Sequence, residues 1–310
     1  MGGVRLGRTL VIANPAAQSG AGAEGAELVS RFLSAYGRAT DGFRVRLTCG
    51  PGDATRLARG ATPFDTVLAL GGDGVIHEVV NGLMKIDVGN RPRLGVIPLG
   101  SGNDYARTLG MARNAPERAL GQLLQGIARR VDLGVVNGEY FDETLSFGAD
   151  AAIALDTVER RRANGSHGTR LFMGSGLDVL GRGLRPWPFV ARFDGEEVRG
   201  SSIVFAVQVG PTYGGGFRIC PGADPTDGWL DVCHSEGSPS AATALAVFLR
   251  ARVGAHTRSR YLRFREARDI TLDFEGEPPC QADGERVRGS HFEVSCAHRA
   301  LEVIVPLRRA

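Results

Sequence analysis

Residues 66–83 read Thr66-Val67-Leu68-Ala69-Leu70-Gly71-Gly72-Asp73-Gly74-Val75-Ile76-His77-Glu78-Val79-Val80-Asn81-Gly82-Leu83. The opening apolar run has no alternation, which predicts a strand buried on both faces, and the glycines at 71, 72 and 74 break it. Val75 to Leu83 then brings apolar residues back at helical spacing. Strand, glycine turn and helix form the repeating unit of a parallel sheet covered by helices. The unit recurs on both sides. Upstream, Thr9 to Ala13 is a short strand that ends in Asn14-Pro15 and the small-residue stretch Ala16 to Ala23, before a helix from Glu24 to about Tyr36. Phe43 to Thr48 alternates as a strand, and Asp53 caps a short helix after it. Downstream, Leu94 to Ile97 is a strand broken by Pro98-Leu99-Gly100-Ser101-Gly102, with a helix from near Asp104.

This rhythm predicts an α/β domain over residues 1–130 built on a doubly wound parallel sheet. The pattern changes near Arg129 to Asp132. Val131 to Val136, Thr144 to Phe147, Ser201 to Val209, Trp229 to His234, Asp269 to Phe274 and Leu301 to Val305 read as strands, with helices only at Ala151 to Arg162 and Pro239 to Val253. Residues 131–310 are therefore expected to form an antiparallel, β-rich sandwich domain, with the last strand able to rejoin the first domain.

Composition narrows the function. The chain has 310 residues, 43% hydrophobic and 23% charged, which excludes fibrous, coiled-coil and disordered classes. No apolar run approaches the ~20 residues that cross a bilayer. The first residues lack a signal-peptide core, and Leu6 breaks the myristoylation pattern, so a cytoplasmic location is expected. The five cysteines are widely spaced without a CxxC, which predicts free thiols and no structural zinc. A net charge of +3 is too mild to indicate a nucleic-acid partner. Lys85 is the only lysine, so the cationic surface is arginine, which suits phosphate.

In an open parallel sheet, ligands bind beyond the carboxyl ends of the strands. The loops after Ala13, Leu70 and Ile97 are all rich in glycine or small residues and lead into helices, which makes an anion cradle. GxxxxGK[ST], GxGxxG with its distal acid, and the protein-kinase motifs are all absent. Asp73 in such a loop would repel a polyphosphate unless Mg²⁺ lay between them; capping the following helix is its other reading. Asp283 and Glu285 flank a glycine, so their side chains can share one face, or the triplet can be a hairpin turn. Asp224, Asp227 and the Trp229 carbonyl offer oxygen ligands to a hard cation, or close an Asx turn. Glu78 is explained by helix packing or an arginine partner, and a lone His77 by a surface or cap position.

Residues 71–83 resemble the GGDGT-x-x-E-V-x-N-G-L signature of the diacylglycerol kinase catalytic superfamily, which includes bacterial soluble lipid kinases, sphingosine kinases and ceramide kinases. Pro98 to Arg107 resembles its P-x-G-[TS]-x-N-D-[FY]-A-R segment, and Asn14-Pro15 its N-P-x-x-G loop. Gly214-Gly215-Gly216, Pro221-Gly222-Ala223-Asp224 and Asp227-Gly228-Trp229-Leu230-Asp231 follow its G-G-G…P-x-A…D-G-x-L-D stretch, and Asp283-Gly284-Glu285 its D-G-E triplet. Val75 replaces the usual Thr, the first loop is longer, and Gln208 stands where the family has Asn.

The resemblance implies an NAD-kinase- and phosphofructokinase-like first domain, a sandwich second domain and an active site in the cleft between them. It implies transfer of the γ-phosphoryl of ATP, with Mg²⁺, to a lipid hydroxyl, most simply that of diacylglycerol. A sphingoid base, an NAD-kinase-like reaction and a non-catalytic regulator are the alternatives. ATP would lie over Gly71, Gly72, Asp73, Gly74, Val75, Ile76 and His77, with Thr48, Gly100 and Ser101 as contacts, and with Asn14 and Asn103 ordering their loops. Asp283, Glu285 or Asp73 would supply the base, and Asp224, Asp227 and Trp229 a structural Mg²⁺ site. Partners would be the lipid substrate and the inner membrane face, touched peripherally, with a homodimer open. Arg160-Arg161-Arg162 and Arg182 and Arg185 beside Trp187 and Phe189 form the first basic stretch for that contact. Arg250, Arg252, Arg258, Arg260, Arg263 and Arg265 form the second. The helix Ala241 to Val253 reads as core or as a pocket wall.

Overall fold

The structure is a computed structural model that describes residues 4–37, 39–164, 169–237 and 239–307. The chain divides into two compact units, Met1–Val131 with Arg299–Ala310, and Asp132–His298.

In the first unit, strands and helices alternate as β1 (Thr9–Ala13), α1 (Ala21–Ala35), β2 (Phe43–Leu47), α2 (Asp53–Arg59), β3 (Thr66–Gly71), α3 (Asp73–Leu83), β4 (Arg93–Pro98), α4 (Asp104–Leu109) and α5 (Pro116–Gln125). The order β2-β1-β3-β4 is parallel throughout. β1, β3 and β4 are apolar on both faces because helices cover both: Leu10 to Ala13, Val67 to Leu70, and Leu94, Val96 and Ile97 are all buried. α1 turns Val29 and Leu33 inward, and α3 turns Ile76, Val79, Val80 and Leu83 inward. β2 and β3 flank β1 on opposite sides, so the loops after β1 and β3 part at the point where the winding reverses.

β5 (Ile127–Val136) leads into the second unit, whose elements are β6 (Glu139–Phe141), β7 (Thr144–Gly148), α6 (Ala149–Asn164), α7 (Thr169–Gly181), β8 (Trp187–Phe193), β9 (Glu196–Ser202), β10 (Val204–Gln208), β11 (Leu230–Ser235), α8 (Ala241–Ala251), β12 (Leu262–Ala267), β13 (Asp269–Phe274), β14 (Cys280–Ala282), β15 (Glu285–Val287) and β16 (His291–Val305). One antiparallel sheet runs β12-β11-β10-β7-β14-β15; in the other, the start of β16 pairs with β13, β13 with β8, and β8 with β9. The end of β16 belongs to the first unit, where Val303 pairs with Leu94.

Inward residues at every second position, among them Phe189, Ala191 and Phe193 on β8, Phe205 and Val207 on β10, and Leu272 and Phe274 on β13, form the sandwich core. Phe147, Phe274 and Phe292 pack edge to face within it. The opposite face of the six-stranded sheet, with Ala206 and Cys233, carries a second cluster with Ile153, Phe172 and Phe217.

Two sequence expectations change. The predicted strand Ser201 to Val209 is two strands in different sheets, β9 pairing with β8 and β10 with β7 and β11, joined by a bend at Ile203. Phe189, expected in a membrane-dipping stretch, is 4% exposed, because alternation along β8 points it into the sandwich. Trp187 stays half-buried under the Arg185 guanidinium, 4.1 Å from its ring. Arg162 has a side chain outside the described residues. All five cysteines are free thiols.

Candidate functional site

The three glycine-bearing loops leave β1, β3 and β4 at adjacent carboxyl ends, where Ala13 pairs with Leu70, Leu70 with Ile97, and Gly71 with Pro98. Backbone then joins backbone across the loops. The Asn14 N–H donates to the Leu70 carbonyl at 3.0 Å, the Leu99 N–H to the Gly71 carbonyl at 2.7 Å, and the Thr48 N–H to the Ala13 carbonyl at 2.9 Å. Gln18 Nε2 donates to the Gly100 carbonyl at 3.1 Å. A Cβ on Gly100 would overlap Gly72 Cα, and one on Gly72 would stand 3.2 Å from Gly100 Cα. Both positions need glycine because the second and third loops touch through their main chains.

Side chains finish the weld. Asp73, the first residue of α3, accepts the Asn103 N–H at 2.8 Å and the Asp104 N–H at 2.9 Å, one on each carboxylate oxygen. Asn103 sits at φ 52°, and its Nδ2 donates to the Gly100 carbonyl at 2.8 Å and to Asn114 Oδ1 at 3.1 Å. Asn14 Oδ1 accepts the Ala16 N–H at 2.9 Å. Asp73, Asn103 and Asn14 are therefore positioning residues for a surface made mainly of main chain. Gly74 is exposed, and Thr48 and Ser101 are half-buried. Val75 closes over Gly71 and Ile76 is fully buried, so these two side chains pack inward.

His77 is also internal. It is 4% exposed, with Nε2 3.3 Å from Asn81 Nδ2, which replaces the expected surface or cap position. The Glu78 carboxylate caps α2, accepting the Gly52 N–H at 2.8 Å and the Ala54 N–H at 3.0 Å, rather than pairing with an arginine.

In the second unit, Asp283 and Gly284 are the two-residue turn between β14 and β15, at φ 49° and 92°. The Asp283 carboxylate accepts three main-chain N–H groups, from Asp142 at 2.8 Å, Glu143 at 3.1 Å and Thr144 at 2.9 Å. Glu285 opens β15 and is exposed. Two carboxylates that the sequence allowed on one face thus have different surroundings. Gln208 is buried, with Nε2 donating to Thr144 Oγ1 at 2.5 Å.

Loop 224–229 closes on itself. Asp224 Oδ1 accepts the Thr226 N–H at 3.0 Å and its hydroxyl at 2.7 Å, while Asp227 Oδ1 accepts the Trp229 N–H at 2.9 Å. Buried Asp132 holds the loop from below, accepting the Gly228 N–H at 2.7 Å and pairing with His298 at 2.8 Å. Asp231 lies across from Glu266 on β12, and burial, with Glu266 and then Asp227 adding repulsion, pushes its carboxyl up to about 7. Among the described residues no three acidic, histidine or cysteine side chains converge into a cation cage. The oxygen donors suit Mg²⁺ in kind, but hydrogen bonds hold the loop's shape.

The helix over 241–253, read from the sequence as core or pocket wall, walls a cavity on the helix-covered side of the six-stranded sheet. Its volume is about 90 Å³, and its lining is almost wholly apolar. Ile153, Leu180, Ile219, Val247, Phe248 and Leu262 line it, together with the Asp150 carboxylate. Asp150 is 2% exposed, accepts the Tyr213 hydroxyl, and has an Oδ2 with no hydrogen-bond partner. Burial pushes its carboxyl up to about 6 against the opposing effects of the Tyr213 and then the Ser146 hydroxyl. Gly214, Gly215 and Gly216, at φ 59°, 82° and 108°, make the turn that brings Tyr213 and Phe217 together, with the Tyr213 N–H donating to the Phe217 carbonyl at 2.9 Å. The triple glycine therefore makes the turn that follows Tyr213, which lines the cavity. For Asp150 the available signal was a lone acid in the small apolar run Gly148-Ala149-Asp150-Ala151-Ala152-Ile153.

Comparison with known proteins bears on the family and the fold. Residues 8–136 match the diacylglycerol kinase catalytic domain, and residues 143–305 match the YegS C-terminal NAD kinase beta sandwich-like domain. A diacylglycerol kinase of Bacillus subtilis (strain 168) is 31% identical over 265 residues, 85% of each chain. One from Mycobacterium tuberculosis (strain ATCC 25618 / H37Rv) is 33% identical over 258 residues, 82% of this chain and 80% of that protein. The crystal structure of a diacylglycerol kinase from Bacillus anthracis str. Sterne shares the fold, with a TM-score of 0.80 at 22% identity, covering 97% of this chain and 98% of that one. Glycine loops, sandwich and overall similarity converge: the chain belongs to the diacylglycerol kinase catalytic-domain family, in the branch that carries the YegS-type C-terminal sandwich.

Proposed function

We propose that the protein is an ATP- and Mg²⁺-dependent lipid kinase that phosphorylates the free hydroxyl of diacylglycerol or a closely related lipid alcohol. The observation that carries this reading is that one chain holds both a main-chain anion cradle and an apolar cavity with a single buried carboxylate. The cradle suits a polyphosphate: glycines admit close approach, and α1, α3 and α4 begin at the loops. Mg²⁺, entering with the nucleotide, would offset phosphate charge.

The chain's own groups then have distinct roles. Asp73 and Asn103 keep the second and third loops at fixed spacing, so the phosphates meet a rigid surface. The lipid hydroxyl must surrender its proton as its oxygen bonds to the γ-phosphorus and ADP departs. Glu285 is the carboxylate of the triplet suited to accept that proton, because Asp283 is engaged by three N–H groups. The cavity would take an acyl chain.

A sphingoid base is a second reading, favoured by one feature: a buried carboxylate such as Asp150 would pair with an amino group. Transfer of label from γ-labelled ATP to diacylglycerol, sphingosine and NAD, with and without Mg²⁺, tests both. Labelled phosphatidic acid that requires Mg²⁺ is expected. Labelled sphingosine phosphate alone would establish the second reading, and labelled NADP would overturn both. ADP binding without transfer to any acceptor would point to a regulator.

A further inference from the structure

Helix α8 is unusual for its composition. Its sequence, Ala-Ala-Thr-Ala-Leu-Ala-Val-Phe-Leu-Arg-Ala, is apolar nearly all round, which ordinarily marks a helix buried on all sides. Yet Ala251 is its only buried residue, so of the two readings its sequence offered, core or pocket wall, the structure gives the second. Phe248 packs against Phe172 and Phe217, and Ala244, Val247 and Phe248 line the cavity. The other side leaves Ala241, Ala242, Ala246 and Leu249 exposed, and Val253 follows just beyond the helix. Leu249 is 48% exposed and Val253 69%, the largest exposure among the large apolar residues of the described chain.

Cations gather at the same end. Arg250 and Arg252 flank Ala251, and Arg258 closes the single turn that packs on α8. Exposed Arg218 is tied to the helix end by its N–H, which donates to the Ala251 carbonyl at 2.8 Å. Among the described residues none of these four arginines makes an ion pair, whereas Arg263 is engaged by Glu236 and Arg265 by Glu196. An apolar strip edged by unpaired arginines has the composition of a surface that lies in an anionic lipid interface.

We infer that the outer face of α8, from Ala242 to Val253 with Arg218, Arg250, Arg252 and Arg258, is the surface by which the protein docks on an anionic bilayer. The inference rests on the lipid-kinase reading for its purpose, though not for its test. Docking there would lay one side of the helix on the bilayer while its other side walls the cavity, so an acyl chain could pass from membrane to protein beside α8. This assigns the contact to α8 and the arginines at its end, not to the Trp187 stretch.

The test is sedimentation with vesicles of phosphatidylcholine containing about one-third phosphatidylglycerol. The wild-type chain should bind these, lose binding as salt rises, and bind pure phosphatidylcholine weakly. The pair Leu249→Ser and Val253→Ser, and separately the triple reversal Arg250→Glu, Arg252→Glu and Arg258→Glu, should each weaken binding at least about 10-fold. Replacing Trp187 by Ser should leave binding unchanged. Turnover on a short-chain diacylglycerol dissolved without a bilayer should match wild type in the α8 variants, which also shows that they fold. Vesicle binding by both variants equal to wild type, or no binding by wild type, overturns the docking surface. So does a variant that alters only self-association, which would make the face an interface between copies. Absent phosphorylation of every lipid, together with α8-dependent binding, would sink the kinase reading and leave the docking surface standing.

Discussion

The glycine cradle of the first unit and the apolar cavity of the second meet their ligands by opposite means. In the cradle, main chain touches main chain, and Asp73 and Asn103 serve to keep it that way. In the cavity, side chains from α6, α7 and α8 make the wall, and one carboxylate is left with an unused oxygen. Asp283 resembles Asp73 more than it resembles its neighbour Glu285. Both accept N–H groups from a loop distant in sequence, and both stand beside a glycine turn. The difference between Asp283 and Glu285 shows that carboxylates adjacent in a motif can have different surroundings, since one is engaged by main-chain N–H groups and the other, the base proposed above, is exposed.

The sharpest way to break that distinction is to remove each acid. Glu285→Gln should lower kcat by about 10²- to 10⁴-fold with the unfolding midpoint unchanged, as expected for an acid–base group on the surface. Asp283→Ala should instead destabilise the protein by about 3 kcal/mol or more, since it strands N–H groups of buried residues 142–144. Activity and urea unfolding measured on both variants decide the matter. A Glu285 variant with normal turnover would remove the proposed base.

Asp150 tests the cavity side. Its carboxyl is raised in the folded state from 3.8 to about 6, so the proton favours the fold. Stability from this group is complete below about pH 4, falls as pH rises toward about 6, and is gone above it, a loss of about 3 kcal/mol. Asp150→Asn should therefore be the more stable protein at about pH 8 by a similar amount, with no difference at about pH 4. Urea unfolding at the two pH values reads this directly, and a pH-independent difference would mean that the acid is solvated.

Gly100→Ala probes the cradle. The new Cβ meets Gly72 Cα, so the loops must part; ADP affinity by calorimetry should fall by about 10- to 100-fold, from the 1–3 kcal/mol typical of overpacking. The smallest effect is expected from Ala244→Phe, which fills part of the cavity. It should raise KM for long-chain lipid by about 10-fold and leave short-chain substrate nearly unaffected.

Much of the first unit was legible because a buried parallel strand and its glycine turn are local events. Thr66 to Gly71, Asp73 to Leu83 and Arg93 to Pro98 fall close to where apolar runs and breakers put them. The second unit was harder. The strand pattern indicated a sandwich, but α7 was missed because its glycines and small residues weaken the helical signal, and the bend at Ile203, where the chain passes from one sheet to the other, hid inside one apolar run. Glu78 shows the limit at residue scale: its partners are the N–H groups of Gly52 and Ala54, 26 and 24 residues away, and periodicity carries no such information.

The sequence by itself determined the two-part organisation, the three anion-type loops and the family motifs, because each depends on neighbours along the chain. Only the tertiary structure decided that Gly72 must face Gly100, that Asp283 is spent on backbone, that Asp150 looks into an apolar cavity and that α8 leaves its apolar outer side uncovered. The physical reason is common to all four. Contact, burial and the satisfaction of a polar atom are properties of pairs brought together from distant segments, and the order of residues fixes those pairs only once the chain has folded.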